Sequence, residues 1–166
     1  YCTRLTAGIL ANKVKEARPP IRADVRVVEA GDTVRLGAFS VEFIHVNHSI
    51  PDACALAIST PVGMVFHTGD FKLDTSPIDG RMMDLTRIGE IGNAGVLLMM
   101  GESTNAERPG YTPSESTVGT SFETIFTRHA DKRVVIATFS SNVHRVQQII
   151  DAAVRHKRKV AIMGRS

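Results

Sequence analysis

Val41-Glu42-Phe43-Ile44-His45-Val46 runs directly into Asn47-His48-Ser49-Ile50-Pro51-Asp52, and Gly63-Met64-Val65-Phe66 leads through His67 into Thr68-Gly69-Asp70-Phe71-Lys72-Leu73-Asp74. In each case an apolar run of strand length ends in a polar loop. Each loop carries a good metal ligand. His48 offers an imidazole and Asp70 a carboxylate, and such groups on neighbouring strand ends can share a divalent cation. The pair is incomplete, because two ligands do not close a site. Each also has a structural alternative: a loop histidine bonded to backbone, and an ordinary Gly-Asp turn.

The surrounding chain supports this strand reading. From Ile21 to Phe66 short strands are expected at Val25 to Val28, Thr33 to Leu36, Val41 to Val46, Cys54 to Ser59 and Met64 to Phe66. Gly31-Asp32 and Thr60-Pro61-Val62-Gly63 supply turns, so a largely antiparallel sheet is expected. Before it, Thr6 is expected to cap a helix through about Glu16, which Arg18-Pro19-Pro20 ends.

The second half changes rhythm. Helices are expected at Met82 to Ile91, Ser114 to Ala130 and Asn142 to Arg155. Apolar strands are expected at Val96 to Met100, Val134 to Phe139 and Lys159 to Met163. Runs apolar on both faces and separated by helices indicate parallel pairing covered on both sides. The class is therefore α/β (α+β). Arg108-Pro109-Gly110-Tyr111-Thr112-Pro113 marks the expected domain boundary.

Composition sets the outer limits. The chain has 166 residues, 43% hydrophobic and 22% charged, enough for a buried core in a globular protein. No apolar run is long enough to span a membrane. Cys2 and Cys54 form no C-x-x-C pair, which suggests a reducing compartment and no disulfide framework. The net charge is +3. Much of the basic character sits in Arg128-His129-Ala130-Asp131-Lys132-Arg133 and Arg155-His156-Lys157-Arg158-Lys159. Either run can attract a polyanion or be a solvated helix end. The chain starts at Tyr1 and stops after a strand-like run, so it is expected to be a piece of a longer protein.

Other candidates sit at strand ends. Glu102, in Glu102-Ser103-Thr104-Asn105, follows the strand ending at Met100, where open α/β sheets place ligands. It could orient a metal-bound water or a ligand histidine; a plain turn is the alternative. Ser140, Ser141 and Asn142 precede a helix whose free N–H groups would suit a phosphate oxygen, and His144 could face the same place or merely cap solvent. Simple N-capping by Ser141 or Asn142 explains that segment equally well. His45 is assigned to structure, since odd offsets along a strand point to opposite faces. His67 is expected to pack at its strand end. There is no G-x-G-x-x-G, P-loop or G-x-S-x-G motif.

Taken together, Asn47 to Asp52, Thr68 to Lys72, Ser103 to Glu115 and Phe139 to Arg145 resemble the ribonuclease J family, in the β-CASP branch of the metallo-β-lactamase superfamily. The block Ser103 to Glu115 is the most specific of these. The resemblance implies a partial metallo-β-lactamase αββα domain over residues 1–111 and the start of an α/β β-CASP domain, with parallel strands, over 112–166. It implies that His48 is a metal ligand, that Asp70 bridges two ions, and that Glu102 is the acidic residue of the first β-CASP motif, where Asp is commoner. It assigns Ser140, Ser141, Asn142 and His144 to RNA binding.

For the complete enzyme the resemblance implies two divalent metal ions, zinc or manganese, and hydrolysis of RNA phosphodiesters. That activity would be endonucleolytic and 5′-to-3′ exonucleolytic, in RNA decay and maturation, including rRNA processing. RNA would be the partner, the full-length protein a homo-oligomer, and the location cytoplasmic, away from membrane. The family's H-x-H-x-D-H motif, expected before Tyr1, and its later histidines, expected beyond Ser166, are not in this sequence. The piece is therefore expected to be inactive alone. A non-catalytic RNA-binding or assembly module, and another hydrolase of the same fold, stand as alternatives.

Overall fold

A computed structural model of the chain describes residues 1–164. Its elements are α1 (Arg4–Glu16), β1 (Thr33–Leu36), β2 (Phe39–His45), β3 (Cys54–Thr60), β4 (Gly63–His67), α2 (Leu85–Ala94), β5 (Leu98–Met100), α3 (Ser116–Arg128) and α4 (Val143–Arg155). The mixed α/β class holds. The strands form one sheet in the order β1-β2-β3-β4-β5. The first three pairings are antiparallel and β4 pairs with β5 in parallel.

Alternation places the first core. Ile44 and Val46 from β2 and its extension, Ala55 and Ala57 from β3, and Phe66 from β4 are buried together with Ile91 of α2. The small alanines let α2 approach the sheet. α2 starts at Leu85 because the Asp84 carboxylate accepts from the Arg87 N–H at 2.9 Å, and the Met83 N–H is taken by Asn47 Oδ1 at 3.0 Å. Arg87 then grips Glu42 of β2 through two bonds, at 2.8 and 2.9 Å. A second core joins Phe122 and Phe126 of α3 to Ala152 and Ala153 of α4.

Several expectations change. α1 begins at Arg4, earlier than a Thr6 cap allows, because Asp52 Oδ2 accepts from the Leu5 N–H at 2.9 Å. A distant carboxylate thus caps this helix. The expected strand at Val25 to Val28 is reduced to a bridge between Val27 and Cys2. β5 does pair in parallel, yet Leu98, Met99 and Met100 are all exposed. The runs at Val134 to Phe139 and Lys159 to Met163 belong to no ladder among the described residues. Val134 and Ile136 rest on the α3–α4 core, whereas Val135 is 87% exposed. An apolar pattern states a demand for cover on both faces; it does not supply the neighbouring strand.

Candidate functional site

Strand directions create the site. β3 runs antiparallel to β2 and to β4, and β5 runs parallel to β4. The carboxyl ends of β2, β4 and β5 therefore emerge at one end of the sheet. The chain beyond them carries His48, Asp70 and Glu102 respectively. Two strand spacings of roughly 4.8 Å separate β2 from β4, and the loops close that gap. His48 Nε2 lies 3.8 Å from Asp70 Oδ2. Asp70 is largely exposed and His48 about one-third exposed.

Each side chain rests on buried supports. Asn47, buried beside His48, donates from Nδ2 to the Arg81 carbonyl at 2.7 Å and accepts from the Met83 N–H at 3.0 Å. Its own carbonyl accepts from the Lys72 N–H at 2.7 Å, which joins the His48 loop to the Asp70 loop. Thr68, also buried, donates its N–H to the Met100 carbonyl at 3.0 Å and accepts from the Glu102 N–H at 3.1 Å. It thereby ties the end of β4 to the end of β5.

Gly69 turns the chain at φ +60°, and a Cβ there would lie 2.8 Å from the Cys54 carbonyl oxygen. Glycine is needed for both reasons. His67, expected to pack, is exposed; its Nδ1 accepts from the Gly69 N–H at 3.0 Å and braces that turn. His45 is buried and interacts with the Arg81 carbonyl, consistent with a structural role.

Glu102 is a carboxylate held in its charged form. Its Oε2 accepts from the Thr104 N–H at 2.6 Å. That bond, the Thr104 hydroxyl, the Phe71 backbone and nearby His48 hold its pKa below the usual range, against a smaller opposing effect of burial. An ionised carboxylate accepts hydrogen bonds. Glu102 is suited to orient an N–H or a water, not to give up a proton.

The second half approaches from the side. A cleft of about 170 Å³ is lined by His48, Ser49, Lys72, Asp74, Glu115 and His144, among others. Asp74, buried, receives the Ser114 hydroxyl at 2.9 Å, the Ser76 N–H at 3.0 Å and the Glu115 N–H at 3.4 Å. Burial favours the neutral acid, but these donors and Lys72 outweigh it and lower the pKa. Glu115 in turn takes a two-pronged bond from Arg145, at 2.7 and 2.9 Å. Asp74 and Glu115 thus latch the starts of α3 and α4 to the loop behind Asp70.

At the α4 start the backbone donors have partners within the chain. Val143 N–H is bonded to the Ser141 carbonyl, His144 N–H to the Ser49 carbonyl, and Arg145 N–H to Asn142 Oδ1. These first-turn donors are committed within the chain, and Asn142 is the cap. The exposed hydroxyls of Ser140 and Ser141, and His144 in the cleft, remain able to meet a ligand.

His48 and Asp70 converge. Among the described residues no group of three or more His, Cys, Asp or Glu side chains could hold a metal ion. Burial pushes the Cys54 thiol up to about 11, so it is a poor ligand at neutral pH. Two donors on one tetrahedral ion, each about 2.1 Å away, stand roughly 3.4 Å apart. His48 and Asp70, at 3.8 Å, fit part of such a shell.

Curated relatives align with 99–100% of the chain, and a family model with its carboxyl-terminal part. Residues 131–166 match the family model described as ribonuclease J, beta-CASP domain. The chain is 47% identical to a ribonuclease J of Synechocystis over 100% of its length, and 43% identical to one of Helicobacter pylori over the same extent. It is 47% identical to a Mycobacterium tuberculosis ribonuclease J over 99% of its length. It spans only 26%, 24% and 29% of those three proteins. In fold, it is similar to a crystal structure described as a protein of unknown function from Enterococcus faecalis V583. That likeness has a TM-score of 0.68 at 20% identity and covers 91% of this chain and 38% of the other.

Proposed function

The chain belongs to the ribonuclease J family as a segment about a quarter the length of its curated members, and we propose that it contributes part of the metal centre of an RNA-cleaving hydrolase. The observation that carries this reading is the approach of His48 Nε2 to Asp70 Oδ2 at 3.8 Å. His48 and Asp70 would hold divalent ions, with zinc or manganese the fitting metals. When bound, the ions supply acidified water and neutralise charge on the scissile phosphate. Glu102, ionised beside His48, orients an N–H or a water in that space. Ser140, Ser141 and His144 contact the phosphate backbone with weak sequence preference. The domain division lies near residue 111. The parent protein cuts RNA internally and from a 5′-monophosphate end, and this chain alone binds metal weakly and cleaves little.

Single-turnover cleavage of 5′-monophosphorylated RNA with added manganese tests this. Outer-shell substitutions at metal sites cost 10–100-fold. Losing a ligand through His48→Ala or Asp70→Ala in the parent protein should therefore cost about 100-fold or more. The isolated chain should show no cleavage above a chelated control. Parent activity indifferent to both substitutions would overturn the ligand assignments. Robust cleavage by the isolated chain would overturn the incomplete-site reading.

A further inference from the structure

We propose that the carboxyl-terminal ends of α3 and α4 form a second RNA-contacting surface, remote from the metal half-site. The RNA assignment rests on the function proposed above; the surface itself rests on geometry. Two basic runs that are far apart in sequence meet there. Arg158 NH1 donates to the carbonyls of His129 and Ala130, at 3.1 and 3.3 Å, and its NH2 bonds the Lys132 carbonyl. The Arg158 guanidinium also lies 5.3 Å from the Phe126 ring centroid. The segment after α4 is thereby fastened to the segment after α3.

The cations there divide into two groups. Arg158 satisfies carbonyls at the end of α3, where a positive charge complements the helix dipole. Arg155 and His156 both bond Glu123. Lys132 pairs with Asp131 at 3.2 Å. Arg128, Arg133, Lys157 and Lys159 are exposed and make no ion pair among the described residues. Capping and local pairing do not require them.

The charge is concentrated, too. Residues 128–133 and 155–159 hold seven Lys or Arg against one Asp, a local +6 in a chain of net +3. The rest of the molecule is therefore net acidic. A polyanion is drawn to this end, not to the chain at large.

The place is distinct from the cleft. α4 starts beside the cleft, where His144 lines the wall, and runs 13 residues to Arg155, roughly 20 Å at 1.5 Å per residue. A single strand held at both places would gain affinity from the far end without altering the chemistry. Flexible, exposed Lys and Arg side chains suit phosphates and not base edges, so the contact is blind to sequence.

The test is binding of a labelled oligouridylate to the chain in chelator, with folding checked by circular dichroism. Each phosphate contact on single-stranded nucleic acid contributes about −0.7 to the salt slope. Four contacts predict about 50-fold weaker binding from 50 to 200 mM salt. Changing Arg128, Arg133, Lys157 and Lys159 together to Gln should remove most of that dependence. Lys157→Gln with Lys159→Gln alone should remove about half. Lys13→Gln with Lys15→Gln, exposed on α1 and equal in charge lost to the Lys157 and Lys159 pair, should leave binding unchanged, and binding that persists in chelator separates this surface from the metal reading. Binding by the fourfold variant equal to wild type would overturn the proposal. So would competition by polyglutamate as effective as that by RNA of equal charge, since the surface would then be a general polyanion site.

Discussion

Gly69 decides where Asp70 points. Its φ of +60° costs a residue with a Cβ about 1–2 kcal/mol, and the Cys54 carbonyl stands 2.8 Å from where that Cβ would be. Gly37 offers an internal control: its φ is +61°, and a Cβ there would meet nothing within 4 Å. Gly37→Ala should lower stability by that conformational cost alone. Gly69→Ala should lower it further and displace the Asp70 loop. Urea denaturation of the two variants checks this; equal losses would mean that the Cys54 carbonyl gives way easily. Asn47 and Thr68 matter in the same local sense. Neither stands out in the sequence, where one precedes a histidine and the other opens an ordinary turn. Their value comes from partners 32 to 36 positions away.

Among the elements, α4 is set by its cap. Asn142 Oδ1 accepts from the Arg145 N–H at 3.0 Å, and removal of such a cap costs about 1 kcal/mol. Asn142→Ala should therefore lower the unfolding free energy by about 1 kcal/mol, while Asn142→Ser, which keeps an acceptor, should lose less. Thermal unfolding of the pair distinguishes a cap from a ligand-binding amide, because a purely ligand-binding Asn would leave stability unmoved in both. The strands of the first sheet are legible in the sequence to within two residues at most ends, since alternation and turn residues act locally. Val134 to Phe139 and Lys159 to Met163 are not. A strand exists only through a neighbour, and among the described residues neither run has one.

At the level of the assembled chain, Asp74 is the joint between the sheet loops and the α3–α4 pair. Its carboxyl pKa is lowered in the fold despite burial, through the Ser76 and Glu115 N–H groups, the Ser114 hydroxyl and Lys72. A depressed folded pKa means stability that is present above the unfolded value, about 3.9, and lost as pH falls through the folded value. Wild type should thus lose stability on acidification below about pH 5. Asp74→Asn should start lower and fall less steeply, because the titrating group is gone. Urea midpoints measured across that range check the sign; parallel curves would remove Asp74 from the acid response. Glu42, Glu102 and Glu123 shift in the same direction, so some slope should persist in the variant.

Local chemistry in the chain was sufficient to specify the hairpins of the first sheet, the helix runs and the strand-end positions of His48, Asp70 and Glu102. Those features depend on alternation, capping residues and turns, which act over a few residues. The 3.8 Å approach of His48 to Asp70, the exposure of β5 and the meeting of two basic runs at one end of α3 and α4 depend on folding. They follow from strand direction, from buried bonds such as those of Asn47 and Thr68, and from the grip of Arg158 on distant carbonyls. No local pattern encodes such contacts, because their free energy is gained only when segments far apart in the chain pack together.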